Sequence, residues 1–362
     1  MTSVYAVIMA GGVGARFWPR SRQHSPKQLL EILGAETMIQ QTFGRINQLV
    51  PAENVYVVTN ASQEEEIRRQ LAGVPGKNIL VEPVGRNTAP CVGLAAAWIY
   101  QSDPEGVMIV LPADHMIRDE EEFRNILGTA VAVAESGSAL VTIGINPTYP
   151  ETGYGYIQFS DEHTQYSEFQ SKGVYRVKTF AEKPNLETAE KFMQSGDFLW
   201  NSGMFVWKAA SIIREIEAHL PDLSEELRKI QYTIGTAHYD DTLSTAYGMI
   251  RSISIDYGVM EKSNNVFVVK GDFGWSDVGS WDEVVRLIPP DEKGNVQRGK
   301  VIVKDSYRNY IDAGNRLVAT IGVEDLIVIS TDDSVLVCRK GCSQDVKEIV
   351  DFIRRKQMNE YL

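Results

Sequence analysis

Short apolar runs and stretches of helical periodicity take turns through residues 4–145. Tyr5–Met9, Val55–Thr59, Ile79–Val81, Val107–Leu111 and Ala139–Ile145 read as strands. Between them, Ile39, Phe43, Ile46 and Val50 recur at the three- and four-residue steps of one helix face, and Gln63–Leu71, Ala89–Tyr100 and Glu120–Glu135 read as further helices. This alternation is the pattern of a mainly parallel sheet covered by helices on both faces, an α/β fold.

After Pro147 the texture changes. "TGYGYIQF", "GVYRVKTFAEKP" and "WNSGMFVW" read as strands broken by Gly and Asn, with helices at Ala209–His219 and Leu223–Gln231. These pieces are expected to build a second half-site over the same sheet. "LIPPDEKGN" (Leu287–Asn295) has the composition of a linker. Beyond it, Val301–Lys304, Leu317–Thr320, Leu326–Ile329 and Val335–Cys338 read as short strands of a small repetitive β module, and Val346, Ile349, Val350 and Ile353 mark a closing amphipathic helix. The expected division is therefore 1–288, a catalytic domain, and 289–362, a β-helical tail ending in that helix.

A net charge of −12 argues against nucleic acid or an anionic membrane as a general partner. Any phosphate ligand then needs a local basic pocket. Cys91, Cys338 and Cys342 do not complete a zinc pattern and are expected to be reduced thiols. No secretory leader is evident and no apolar run approaches the ~20 residues of a membrane span, so a cytoplasmic protein is expected.

Local positive charge is found in "VIMAGGVGARFWPRSRQHSPKQ", Val7–Gln28. Gly11, Gly12 and Gly14 follow the first strand, at the usual ligand edge of an open α/β sheet. Arg16, Arg20, Arg22 and Lys27 then arrive before any acid. Glycines let backbone N–H groups approach an anion closely. A dinucleotide fingerprint starting at Gly12 would need Gly where Phe17 stands, and a P-loop starting at Gly11 would need Gly-Lys where Arg16 and Phe17 stand, so neither motif is present.

Elsewhere, Asn87 or Thr88 can cap the helix that opens after "EPVGRNTAP". Asp114 lies just past a buried strand, and Asp277 lies in "KGDFGWSDVGSW" after the strand Val266–Val269, where it can cap the helix near Trp281. Glu182 and Lys183 in "TFAEKP" fall on opposite faces if their strand is regular. The Asn201 amide can both donate to and accept from hydroxyls. Trp200 and Trp207 read as core, His115 as a neutral hydrogen-bonding residue, and "SIDYGVMEK" places Asp256 at a helix cap with no evident role.

"MAGGVGARFWPRSRQHSPKQ" closely resembles the signature of the sugar-1-phosphate nucleotidyltransferase family, in its mannose-1-phosphate guanylyltransferase branch. "EPVGRNTAP", "TFAEKP", "WNSG", "SIDYGVMEK" and "GWSDVGSW" follow in the family's order. The resemblance implies a Rossmann-like, GT-A-like catalytic domain with a small left-handed β-helical extension. It implies that Gly11, Gly12 and Gly14 wrap a triphosphate that Arg16 and Lys27 neutralise, and that Asp114 and Asp277 hold Mg²⁺, with Mn²⁺ as the alternative. It assigns the segment holding Glu82, Asn87 and Thr88 to base and ribose recognition, where guanine's N1–H and N2–H₂ donors require an acceptor. It assigns Glu182, Lys183, Asn201 and the backbone at Gly153 to the sugar phosphate.

The function it implies is transfer of GMP from GTP to mannose 1-phosphate. A guanylyltransferase for another sugar 1-phosphate, such as a heptose, and a non-catalytic sugar-nucleotide sensor are the alternatives. GTP and mannose 1-phosphate are the expected ligands, and a homodimer through the C-terminal region is the expected assembly. Longer members of the family add a cupin-type isomerase domain, which is not expected in 362 residues.

Overall fold

The computed structural model of the protein describes residues 2–12, 14–162 and 164–362. They fall into two compact units: Met1–Gly11, Thr42–Ala113 and Ile117–Trp275 form one, and Gly12–Gln41, Asp114–Met116 and Ser276–Leu362 the other. Packing thus groups the glycine-loop segment with the tail, whereas the expected division at 288/289 follows chain order.

The described residues of the first unit carry a nine-stranded sheet. In chain order its strands are β1 (Val4–Met9), β2 (Val55–Asn60), β3 (Ile79–Glu82), β4 (Val107–Pro112), β5 (Leu140–Ile145), β6 (Gly155–Ser160), β7 (Val174–Glu182), β8 (Phe198–Lys208) and β9 (Val266–Gly271). Across the sheet they lie in the order β3-β2-β1-β4-β8-β5-β9-β7-β6. β1 to β4 run parallel, as do β5 and β9, while β8 enters antiparallel between β4 and β5. The pieces after Pro147 were expected to lie over the sheet. They join it instead, because β8 carries a row of buried side chains from Met204 to Trp207 that a sheet interior can pack.

The helices are α1 (Met38–Ile46), α2 (Glu64–Gln70), α3 (Thr88–Ser102), α4 (Glu120–Glu135), α5 (Leu186–Ser195), α6 (Ala209–His219), α7 (Pro221–Thr233) and α8 (Tyr239–Met249). α3 packs against β1, β2 and β3 and also against α6 and α7. A helix enclosed in this way is apolar all round and built of small residues, and Ala89 to Ala97 are all buried. Val7, Val58, Met108, Val110 and Trp207 meet the α3–α6–α7–α8 layer in one core, while α4 lies against β4, β5, β8 and β9 outside that core. Trp200 and Trp207 are buried, as the sequence predicts. α5 and α8 had no reading in the sequence; both are short, with polar first turns.

The second unit contains α9 (Trp281–Leu287), β10 (Val296–Lys304), β11 (Tyr310–Ile321), β12 (Leu326–Ser330), β13 (Val335–Arg339) and α10 (Val346–Arg355). β10, β11 and β12 are parallel neighbours joined by short corners, and β13 closes the sheet antiparallel. Parallel strands normally need a long crossover; here each coil of chain stacks on the last, as in a β-helix. Buried Asn295 and Asn309 stack at one corner: the Asn309 N–H donates to Asn295 Oδ1 at 2.9 Å, and the Leu326 N–H donates to Asn309 Oδ1 at 2.9 Å. Val346, Val350 and Ile353 of α10 complete a core with Phe17, Trp18, Trp281 and Tyr310.

Candidate active site

In the second unit, Gly14 adopts φ +58°, and a Cβ there would stand 2.6 Å from the Lys27 Cβ. Only glycine permits both the left-handed backbone and that approach. Behind the loop, Phe17 packs on Trp281 with ring centroids 5.1 Å apart, and the Trp18 indole N–H donates to the Tyr361 carbonyl at 2.8 Å. The Phe-Trp pair is therefore an anchor in the core.

The four cations of this stretch divide. Arg20 pairs with buried Asp312 at 2.9 Å and Arg22 with Asp333 at 2.6 Å. Arg16 and Lys27 instead line an open pocket of about 280 Å³ with Gly14, Phe17, Asp114, His115, Asp277 and Gly279. Among the described residues, Arg16 has no ion-pair partner.

Asp114 and Asp277 are brought together. A backbone bridge joins Met116 and Ser276, with the Met116 N–H donating to the Ser276 carbonyl at 2.9 Å and the Ser276 N–H returning the bond at 3.1 Å. Lys27, only 4% exposed, donates from Nζ to Asp114 Oδ2 at 2.9 Å and to the Asp277 carbonyl at 2.5 Å. Burial alone would raise the Asp114 carboxyl; the Lys27 ammonium and His115 outweigh it, and the group is held below the usual carboxylate range. Asp277 does not cap α9, whose N-cap is Ser280.

Among the described residues, no group of three or more His, Cys, Asp or Glu converges as a wholly protein-bound metal would need. Two carboxylates facing one pocket are the donor set of an ion that completes its shell with phosphate oxygens and water, so the residues present fit Mg²⁺.

Two further groups of predicted residues lie in the first unit. Glu82 ends β3, is 3% exposed, and accepts from the Tyr247 hydroxyl at 3.1 Å; a Cβ on Gly11 would stand 3.6 Å from its other oxygen. Desolvation raises the Glu82 carboxyl to about 7. Asn87 caps α3, accepting from the Thr88 N–H at 2.8 Å, with a left-handed φ of +71°. Thr88 Oγ1 accepts from the Ile255 N–H at 2.8 Å.

The second group forms where β6, β7 and β8 meet. Gly155 pairs with Glu182, and a Cβ on Gly155 would come within 2.6 Å of Glu182 Oε2 and 3.5 Å of the Asn201 Cβ. Lys183 does not take the face opposite Glu182. Its φ of +46° breaks the pleat, and its ammonium folds back to Glu182 Oε1 at 2.6 Å. The Gly153 N–H is already donated to Glu151 Oε1, at 2.8 Å. Asn201 Nδ2 donates to Asp256 Oδ1 at 2.7 Å.

Asp256, left without a role by its sequence, belongs to the segment that ties these two groups together. The Ile253 N–H donates to the Arg86 carbonyl, the Ile255 N–H to Thr88, and Asp256 accepts from Asn201. Tyr247 and Gly155 were also missed. A hydrophobic pattern hides a tyrosine hydroxyl, and a glycine's role depends on which strand lies beside it.

Residues 5–294 match the family model described as nucleotidyl transferase, and residues 299–352 match the MannoseP isomerase/GMP-like beta-helix domain. The chain belongs to the nucleotidyl transferase family, whose members typically use a divalent metal. It is 40% identical over 361 residues to a mannose-1-phosphate guanylyltransferase of Klebsiella pneumoniae, covering 98% of this chain and 75% of the relative. It is 39% identical over 365 residues to the protein of that name in Escherichia coli strain K12, covering 99% and 75%. The crystal structure of a protein described as mannose-1-phosphate geranyltransferase, from Thermus thermophilus, matches with a TM-score of 0.85 and 35% identity, over 98% of this chain and 100% of that one.

Proposed function

We propose that this chain transfers GMP from GTP to α-D-mannose 1-phosphate, giving GDP-mannose and pyrophosphate. The observation that carries the reading is the convergence of Lys27, Asp114 and Asp277 on one pocket, in a chain whose relatives bear that activity in their name. A phosphate oxygen of the sugar phosphate attacks the α-phosphorus of GTP. The bond from that phosphorus to the bridging oxygen of the β-phosphate breaks, and pyrophosphate leaves with the electron pair. The attacking oxygen is already anionic, so no Ser–His or Cys–His pair is required.

The residues divide this work. Asp114 and Asp277 would hold the divalent ion, which supplies charge neutralisation at the phosphoryl oxygens when bound. Our reading is Mg²⁺, with Mn²⁺ as the alternative. Lys27 holds the two acidic segments together and keeps Asp114 ionised, and Arg16 with the backbone at Gly12 and at Gly14 meets the triphosphate tail. Glu82, beside Gly11, accepts from guanine, while Asn87 and Thr88 shape that loop. Glu182 and Asn201 take sugar hydroxyls, Lys183 takes the sugar phosphate, and Gly153 and Gly155 keep the backbone close.

Among the described residues, no helix is long and apolar enough to cross a membrane and all three cysteines are free thiols, which supports a cytoplasmic enzyme. Ile349 and Phe352 stand about half exposed on α10, and we place a homodimer contact there.

The test is pyrophosphate release with each of the four NTPs and a panel of sugar 1-phosphates, with and without Mg²⁺. GTP with mannose 1-phosphate is expected to be the fastest pair. A faster heptose phosphate, or binding with no turnover, would overturn the reading.

A further inference from the structure

α10 brings one side chain to the pocket that none of the motifs contains. Lys347 lines it together with Gly14, Ala15 and Arg16, and α10 packs on the turn Ala15–Phe17. Its position follows from the packing of its helix. Val346 and Val350, on either side of it, are buried in the core that holds Phe17 and Trp18, and this fixes the face on which residue 347 emerges. The lysine does nothing for the helix that carries it. It sits in the first turn, where the helix dipole favours acids and disfavours a cation. Among the described residues it forms no ion pair, although Asp345 and Glu348 flank it in the chain.

Arg16, Lys27 and Lys347 thus bring three cations to one pocket, against two carboxylates. Lys27 is already engaged by Asp114, and the two carboxylates fit a divalent ion. Among the described residues, Arg16 and Lys347 form no ion pair and remain as positive charge at the pocket.

We propose that Lys347 is a substrate-contacting residue, binding the β- and γ-phosphates of GTP and the pyrophosphate they become. This rests on the reading of the pocket as the triphosphate site. Arg16 lines the same pocket, so the two act on the same anion. As the bond to the α-phosphorus breaks, charge accumulates on the leaving pyrophosphate, and an ammonium there stabilises it. The residue belongs to the tail, which gives that region a direct part in nucleotide binding.

Steady-state kinetics and calorimetric binding of inorganic pyrophosphate with Mg²⁺, on the full chain, test the proposal with Lys347→Ala, Lys347→Gln, Lys347→Arg and, as a charge control at the far end of the same helix, Lys356→Ala. Lys347→Ala and Lys347→Gln are expected to raise KM for GTP and weaken pyrophosphate binding by about 10-fold, as loss of one charge-assisted contact does. KM for mannose 1-phosphate should stay unchanged, Lys347→Arg should return to within about 3-fold of wild type, and Lys356→Ala should match wild type. Unchanged GTP and pyrophosphate parameters in both neutral variants, an equal loss in Lys356→Ala, or a loss confined to mannose 1-phosphate would each overturn it. Arg16→Ala separates the two levels. If it weakens pyrophosphate binding while the Lys347 variants do not, only this inference fails; if neither weakens it, the reading of the pocket fails as well.

Discussion

Lys27 is the residue on which the candidate site turns. Its ammonium reaches Asp114 Oδ2 and the Asp277 carbonyl from an almost fully buried position. Lys27→Met keeps most of the volume and removes the charge. It is expected to lower kcat by about 100- to 1,000-fold, the usual cost of one electrostatic donor at such a centre, with circular dichroism unchanged. Glu82 offers a test by pH. Its carboxyl is raised from an ordinary 4.5 to about 7 because burial disfavours the charged form. The folded chain therefore keeps a proton that the unfolded chain releases, so stability falls as pH rises through that window and the loss is complete above about 7. Glu82→Gln should be near neutral at about pH 4.5 and stabilising by roughly 3 kcal/mol at about pH 8, read by urea unfolding at both. A difference independent of pH would show that Glu82 does not titrate there. Guanine's donors favour the ionised form, so KM for GTP should fall as pH rises through 7.

The basic run after β1 shows how an element divides charges that look alike in sequence. Four cations before any acid suggest a polyanion, yet Arg20 and Arg22 are taken by Asp312 and Asp333 of the β10–β13 module. Only the folding of that module distinguishes them from Arg16 and Lys27, since a charge pattern records sign and spacing but not which acid arrives from 292 or 311 residues away. Asp312→Ala is expected to destabilise by about 2–3 kcal/mol, because Asp312 is buried and its loss leaves Arg20 unpaired. It should leave KM for GTP unchanged; a raised KM would move Arg20 into the pocket. The strands and helices of the first half were legible from periodicity, and α4 and α6 match their sequence readings at both ends. The paired position of Glu182 and Lys183 was not, because the pleat that alternation assumes is broken by the left-handed backbone at Lys183.

At the scale of the molecule, the second unit is assembled from three separated stretches of chain, and the tail is part of its core. Removal of residues 346–362 withdraws Val346, Val350 and Ile353 from Phe17 and Trp18. A loss of the order of 5 kcal/mol is expected, seen as a lower Tm together with lost GTP binding, since the glycine loop rests on that core. A truncated chain with unchanged Tm and GTP binding would show that the loop stands without the tail. The sequence by itself determined the strand–helix alternation of the first half, the family, and which acids and bases are candidates for the site, because these depend on residue type and local spacing. Only the tertiary structure decided that Lys27 joins Asp114 to Asp277, that two of four cations are bound by the tail, and that Lys347 reaches the pocket. Those are contacts between residues far apart in the chain, and their energy depends on distance and burial, which no local pattern encodes.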